Sequence, residues 1–396
     1  MKHNIICEQH GFYPGRSTST NLLCYTEDIF EAFDNSLQVD SISTDFQKAF
    51  DQVNHTVLVS KLSMIGIHGC LLRWVVSYIS NRSQFVAMNG YRSRLVPVTS
   101  GVPQGSHLGP LLFSIFINDV SQVLSSKVLL YADDMKIYRT VSNIVDCELL
   151  QQDLNNLISW CNRNKLHLNF NKCKTITFTK KSNAITYDYK LGDNTLERLS
   201  VIKDLGVWLD SGLSYTYHVN SIISKSFKML GFVRRATVGF NIDSAITHLF
   251  VSLVRSQLEY ASVVWSLSYR KYVSGLQRVQ DKFIKYCLYN NYKVALQSLE
   301  ARRRVQDMVL LHKIVNNVIN CSFLLNKIYV RVPASSVVLR LQHLFHFNFS
   351  ATNYRQNSPL RRLTKNYNLY SELDSSIDII FDKLNNFKTK IHSVAC

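Results

Sequence analysis

No apolar run in this 396-residue chain is long enough to cross a bilayer. The longest, such as Pro110 to Ile117, falls far short of the roughly 20 residues that a membrane helix needs. No basic-then-apolar leader with a small-residue cleavage site opens the chain. These absences point away from secretion and membrane embedding, toward an intracellular protein of the nucleus or cytoplasm. The nine cysteines form no C-x-x-C pair and stand at no zinc-finger spacing to a histidine. Reduced, mostly buried thiols are therefore expected rather than disulfides or structural zinc. There is no internal repeat and no low-complexity segment. Acid is scarce, with 28 Asp/Glu against 45 Lys/Arg and a net charge of +17. Residues 1–180 hold 16 Lys/Arg against 14 Asp/Glu, whereas residues 181–396 hold 29 against 14. A basic body of that kind points to a polyanionic partner, nucleic acid before membrane.

What is there is globular: 46% hydrophobic and 18% charged residues. Pro14-Gly15 marks a turn, after which Ser17 or Thr18 can cap a helix carrying Leu22, Leu23, Ile29 and Phe30. VDSISTDF reads as a strand ending at Asp45. Lys48-Ala49-Phe50 then opens a turn, and Asp51 is a candidate cap for the run QVNHTVLVSKL. CLLRWVVSYIS, residues 70–80, reads as an apolar helix, and residues 84–99 as a hairpin around Asn89-Gly90. TSGVPQGSHLGPLLFSIFINDV is a Gly/Pro-rich loop running into a buried helix. KVLLYADDMKIY is a second hairpin. Residues 149–161 carry Leu150, Leu154, Leu157, Ile158 and Cys161 at helical spacing. KTITF is a strand, and KDLGVWLD reads as one short strand before a turn. Beyond about residue 215 the pattern is mainly helical. SGLQRVQDKFIKYCL sets Leu276, Val279, Phe283, Ile284 and Cys287 on one face and Arg278, Lys282 and Lys285 on the other. That stripe suits a helix lying along a phosphate backbone, with Arg302, Arg303 and Arg304 adding charge nearby. The last 60 or so residues are weakly patterned.

The adjacent aspartates of LLYADD pose an electrostatic problem, because neighbouring like charges at a tight turn repel unless a cation faces them. Asp45 ends a strand, while Asp133 and Asp134 sit at a hairpin tip. If the strand pairs beside the hairpin, three carboxylates converge. Hard oxygen ligands of this kind suit Mg²⁺. Two such ions about 4 Å apart can activate an attacking hydroxyl and stabilise a leaving oxygen. An Asp-Asp pair alone is more often turn chemistry. The order of the three segments, with the Gly-rich loop between them, is the more specific signal.

DFQKAFDQVNH, SGVPQGSHLGPLLFSIFIND and LLYADD resemble, in order and spacing, central motifs of reverse transcriptases from non-LTR, LINE-type, jockey-like retrotransposons. EQHGFYPGRSTSTNLL is similar to their fingers motif, and WCNRNKLHLNFNKCKTITF and KDLGVWLD to later palm motifs. LEYASVVWS with LQRVQDKF resembles the segment past the thumb. The resemblance covers about residues 8–290. It implies an α+β right-hand polymerase fold: partial fingers over 1–40, palm with remaining fingers elements over 41–212, thumb and connection over 213–300, and a basic, mostly helical region over 301–396. The implied activity is RNA-directed DNA polymerase, with two Mg²⁺ ions, dNTP substrates, an RNA template and a DNA primer or target, and no other small-molecule cofactor.

The resemblance also implies residue roles. Asp45 and Asp133 would be the principal metal ligands, Asp134 a looser companion, and the Phe46 carbonyl would complete one site. Phe50 would stand against the sugar and exclude a 2′-hydroxyl. Gln104 and Gly105 would contact the incoming nucleotide and its templating pair. Arg16 would hold the triphosphate, and Lys172 would protonate or neutralise the leaving pyrophosphate. His107 stands where the family commonly has an apolar residue, which implies altered packing. Upstream fingers strands, an endonuclease and a zinc knuckle are not found in the chain, which suggests a truncated reading frame. That leaves an inactive remnant retaining only nucleic-acid binding as the alternative. A Mg²⁺ phosphatase or nuclease would need neither Phe50 nor the PQG loop.

Overall fold

Val39, Ile42 and Thr44 supply β-branched side chains to the stretch QVDSIST, and it forms the central strand Gln38–Thr44 of a five-stranded sheet. The structure is a computed structural model and describes residues 8–240, 242–266, 270–331, 343–347 and 358–395. Across the sheet the strands run Glu197–Leu199, Lys174–Phe178, Gln38–Thr44, Asp134–Val141, Lys127–Tyr131. All neighbours are antiparallel except the first pair. The central strand is covered on both faces, so its one carboxylate needs partners. Asp40 accepts from Thr177 Oγ1 and Tyr189 OH, each at 2.7 Å, and from Gln38 Nε2 at 3.2 Å. Burial, then the neighbouring Asp40 charge, pushes the Tyr189 hydroxyl pKa up.

The helix Ile144–Asn164 buries Leu150, Leu154, Leu157, Trp160 and Cys161 in the same hydrophobic core as Ile42, Met135 and Ile137 of the sheet. It starts earlier than the apolar spacing indicated, because Asn143 and Asp146 form a reciprocal capping box. The helices His55–Met64, Gly69–Ile79 and Leu108–Ile117 close that core through Leu58, Leu62, Ile79, Phe113 and Phe116. The cap of the first is Asn54, whose side chain accepts from Val57 N, and not Asp51. Asp51 lies in the preceding turn, too far upstream to reach the first free amides of the helix. Asn89 and Gly90 both adopt positive φ between Ala87–Met88 and Tyr91–Arg92, the hairpin expected there. KDLGVWLD is a hairpin rather than one strand, because Leu205 and Gly206 both turn left-handed between Val201–Asp204 and Val207–Asp210.

The chain divides into two compact units, residues 1–17 with 37–200 and residues 18–36 with 201–396. The first holds the sheet and the helices just described. The second gathers the helix Thr18–Asp34 with a mainly helical body, including Thr216–Ala236, Arg270–Tyr289 and Leu299–Val315. The weakly patterned tail contributes two more helices, Pro359–Leu373 and Leu384–Ala395. In the helix Arg270–Tyr289, Leu276, Val279, Phe283 and Cys287 are buried while Arg278, Lys282 and Lys285 are exposed, as the spacing indicates. The arginine triplet is different. Arg302 is ion-paired with Glu259, Arg304 with Glu300, and Arg303 is buried. Arg302 and Arg303 thus lie within the protein and do not extend the basic stripe, whereas Arg304 is exposed beside its Glu300 partner. No helix among the described residues is long and apolar enough to cross a membrane. Of the described cysteines only Cys70 is exposed, and none is in a disulfide.

Candidate active site

The site is built where the central strand ends. The last paired residues are Thr44 and Met135, and continuing that register sets Asp45 opposite Asp134. Directly opposed residues in an antiparallel pair stand about 5 Å apart at Cβ, so the register alone brings two carboxylates to the same sheet end. Asp133 lies in the two-residue turn Ala132-Asp133, flanked by the pair Tyr131 and Asp134. Asp133 is half-buried and Asp134 exposed. The three do not form a group whose carboxylate oxygens all lie within 4.8 Å of one another.

Beyond Asp45 the chain is stitched to the segment that follows the long helix. Asn169 N donates to the Asp45 carbonyl at 2.7 Å, and Gln47 N donates to His167 O at 2.8 Å. Phe46 bridges Leu168 and buries its ring in the core. Only the backbone of Phe46 is therefore available to a polar ligand. This stitching delivers Lys172, whose Nζ stands 3.2 Å from Asp45 Oδ2. Asp45, Phe46, Lys48, Gln52, Asn169 and Lys172 line one open cleft. The Lys172 side chain is 65% exposed, so this ion pair contributes little to stability and leaves the ammonium free to change partners.

The PQG loop is latched onto the turn after Asp45. Gly101 N donates to Val53 O and Val102 N to Phe50 O, each at 2.8 Å. Gln104 Nε2 donates to Asp51 Oδ1 at 2.7 Å. Gly105 has φ +76 and open space where a Cβ would be. The Phe50 ring stacks on Phe113 of the following helix at 4.4 Å and meets Phe12 edge-on at 6.2 Å. His107 is exposed at the start of that helix, so it perturbs no packing. Arg16 is half-buried, donates to the Gln9 carbonyl at 2.8 Å, and lies over the Tyr13 ring.

Sequence reasoning missed three participants. Gln9 and Gly11 pack against the aspartate turn, and Asp51 holds Gln104. Gln9 and Gly11 stand within the fingers-like stretch EQHGF, but a neutral amide and a glycine carry no signature of partners more than a hundred residues away. The carboxylates of Asp45, Asp133 and Asp134 are hard oxygen donors of the kind that fits a divalent cation such as Mg²⁺.

The mostly antiparallel sheet packed against helices, with a tight hairpin at its edge, is the α+β arrangement that the motifs implied, and comparison gives the family. A model of the reverse transcriptase (RNA-dependent DNA polymerase) family matches residues 2–233, more than half of the chain, which belongs to that family. The fold class is accordingly the α+β polymerase fold expected from the motifs. Among curated relatives, the RNA-directed DNA polymerase from mobile element jockey of Drosophila melanogaster is 25% identical over 293 residues, covering 70% of this chain and 31% of the relative. The probable RNA-directed DNA polymerase from transposon BS of the same organism is 28% identical over 296 residues, covering 70% and 32%. The chain thus spans about a third of the length of these relatives. Among solved structures, a telomerase from Candida albicans in complex with a TWJ fragment of telomeric RNA covers 76% of this chain and 53% of its own, at 12% identity and a TM-score of 0.36.

Proposed function

We propose that the chain is the RNA-directed DNA polymerase of a non-LTR retrotransposon, transferring nucleotidyl groups from dNTPs to a primer 3′-hydroxyl on an RNA template. The observation that carries this reading is the register that runs Asp45 toward Asp134 at the sheet end where the Ala132-Asp133 turn closes. Asp45, Asp133 and Asp134 would hold two Mg²⁺ ions, with the Phe46 carbonyl completing one set. Such ions, when bound, lower the pKa of the attacking hydroxyl and stabilise charge on the departing pyrophosphate.

The remaining work belongs to the protein. Lys172, beside Asp45 and largely exposed, is free to swing to the leaving pyrophosphate and neutralise or protonate it. Phe50, braced by Phe113, presents a fixed ring that a ribose 2′-hydroxyl would meet. Gln104 and Gly105 offer an amide and unobstructed backbone to the incoming nucleotide and its templating base. Arg16 contributes a guanidinium for the triphosphate. The exposed cations of the second unit, including Arg278 and Lys285, give the template-primer duplex a phosphate-binding surface.

Primer extension on poly(rA)/oligo(dT) with Mg²⁺ tests this reading. Incorporation of dTTP by the wild type, lost in Asp133→Asn, is the expected result. No incorporation by the wild type would overturn it and favour a remnant that only binds nucleic acid; equal incorporation by the variant would overturn the role of Asp133.

A further inference from the structure

The direction of the Asp133 carboxylate is not fixed by strand register, because Asp133 lies inside the turn. It follows from the dihedral angles of that turn, and these are unusual. Ala132 has φ +56, a left-handed conformation that a residue with a Cβ adopts only at a cost. Something must hold it there.

The holder is Gln9. Its Oε1 accepts from Ala132 N at 2.9 Å, and its Nε2 donates to Ala132 O at 3.2 Å. The same Oε1 also accepts from Gly11 N at 2.7 Å. One side-chain amide therefore satisfies both backbone groups of the strained residue immediately before Asp133. The Gln9 side chain is itself buried, at 1% exposure, and cannot be replaced there by water without rearrangement. Its backbone is fixed too. Residues 8–10 lie along the edge strand, with Leu130 N donating to Glu8 O at 3.0 Å and His10 N to Leu130 O at 2.8 Å. Gly11 passes so close that a Cβ there would fall 2.3 Å from Ala132 N. This segment is a mould for the turn.

We propose that Gln9 is a positioning residue that locks the left-handed Ala132 and thereby aims Asp133 for divalent-metal binding. The proposal rests on the polymerase reading above for its functional consequence, but not for its geometry. Gln9 touches no reacting atom; it acts through the Ala132 backbone. Supporting groups of this kind typically alter metal affinity by about 10–100-fold.

The test uses Gln9→Met, which keeps length and volume and removes donor and acceptor, together with Ala132→Gly. Glycine adopts positive φ without steric cost and so needs no lock. Hydrogen exchange at the Ala132 amide, Mn²⁺ binding to the nucleotide-free protein, and primer extension are measured on both single variants and the double. Expected in Gln9→Met are faster Ala132 exchange, a Mn²⁺ dissociation constant raised about tenfold or more, and a matching rise in the metal concentration for half-maximal extension. The loss should fall on kcat, with the KM for dTTP within about threefold of wild type, since only transition-state charge stabilisation is impaired. The double variant should regain most of the Mn²⁺ affinity. Unchanged Mn²⁺ affinity in folded Gln9→Met would overturn the proposal. So would a loss that tracks the folded fraction and is not restored by Ala132→Gly. Should Gln9→Met fail to fold, Gln9→Asn keeps the amide but is one methylene shorter, withdraws both groups from the Ala132 backbone, and carries the same expectations. If the wild type incorporates no nucleotide, the polymerase reading fails, while exchange and Mn²⁺ binding still decide the role of Gln9.

Discussion

Phe50 and Lys61 show how single side chains here serve different masters. The Phe50 ring is held between Phe113 and Phe12, and it stands five residues after Asp45. Phe50→Val is expected to raise ribonucleotide use relative to deoxynucleotide use by about tenfold or more, the size of effect a steric gate of this kind supports. The ratio of kcat/KM for rTTP and dTTP on the same primer-template measures it; an unchanged ratio would assign the ring to packing alone. Lys61 is buried, donates to Phe116 O at 2.6 Å and Asp119 Oδ1 at 2.7 Å, and lies near the faces of Phe116 and Trp160. Burial lowers its pKa and the Asp119 carboxylate opposes that shift. Trp160 Nε1 donates to the same carboxylate oxygen at 3.0 Å. Asp119→Ala therefore strips buried Lys61 of its counter-charge, orphans Trp160 Nε1, and should cost about 3 kcal/mol, more than Lys61→Met, as read by urea unfolding. That Asp45 ends a strand and Asp133 and Asp134 sit at a hairpin end was legible from the alternating β-prone runs around them. Gln9 was not, since its partner lies 123 residues away and its amide looks like any other. Arg302, Arg303 and Arg304 misled for the opposite reason: charge is visible in sequence, but the Glu259 and Glu300 that neutralise two of them are recognised as partners only in the fold.

At the scale of elements, the latch between the PQG loop and the turn after Asp45 joins two motifs that are separate in sequence. Ser100 Oγ donates to Asp51 O at 2.8 Å, His55 Nε2 lies 2.8 Å from Gly101 O, and Gly101 turns at φ +90 against the Asp51 backbone. A Cβ on Gly101 would sit 2.8 Å from Asp51 Cα, with no flexible side chain to yield. Gly101→Ala should lose at least about 2 kcal/mol of stability, combining clash with left-handed strain. Gly192→Ala meets open space at φ +62 and should lose only about 1 kcal/mol, from the left-handed backbone alone. Thermal melts of the pair separate the two terms, and similar losses would mean that the loop is not tightly seated. Local signals served well for elements: Asn89-Gly90 marked its hairpin, and the alternation in KTITF marked its strand. They served poorly where an unusual residue took the turn. Leu205 at φ +43 hid the hairpin in KDLGVWLD, and the Asn/Ser mixture of the tail, expected to be mostly helical, gave no bounds for its two helices, whose buried faces include Leu360, Leu363 and Phe387.

At the scale of the whole molecule, two long-range properties follow from the distribution of charge. The first is response to acid. His10 and His218 are buried and held neutral, with burial lowering their pKa from 6.5 to about 3 and about 4 respectively. Nearby cations, Arg16 and Lys136 for His10 and Lys225 for His218, push the same way. His218 Nδ1 accepts from Trp208 N at 3.3 Å, a bond that protonation there would break. The unfolded chain takes up protons below pH 6.5 and the folded chain does not, so stability is complete above 6.5 and is lost as pH falls toward 4. Each histidine should contribute about 1.4 kcal/mol of that loss by one pH unit below its unfolded pKa. Urea midpoints across this range should therefore slope less in His218→Gln than in the wild type; equal slopes would refute it.

The second property is salt dependence. Residues 181–396 carry 29 Lys/Arg against 14 Asp/Glu, yet part of that excess is internal, as Arg302, paired with Glu259, and the buried Arg303 show. Arg278 and Lys285 are different: both are exposed on a helix whose opposite face is buried. If they neutralise backbone phosphates, each contact releases condensed counterion and adds about 0.7–0.9 to the slope of log affinity against log salt. Replacing both by alanine should lower that slope by about 1.5 and weaken RNA binding uniformly across sequences, without a change in thermal stability. The matched control is Arg304→Ala, whose cation is already paired with Glu300 and should leave the slope alone. A slope unaltered by the double substitution would remove this helix from the nucleic-acid surface. A slope that falls instead with Arg304→Ala would mean that its ion pair opens on binding.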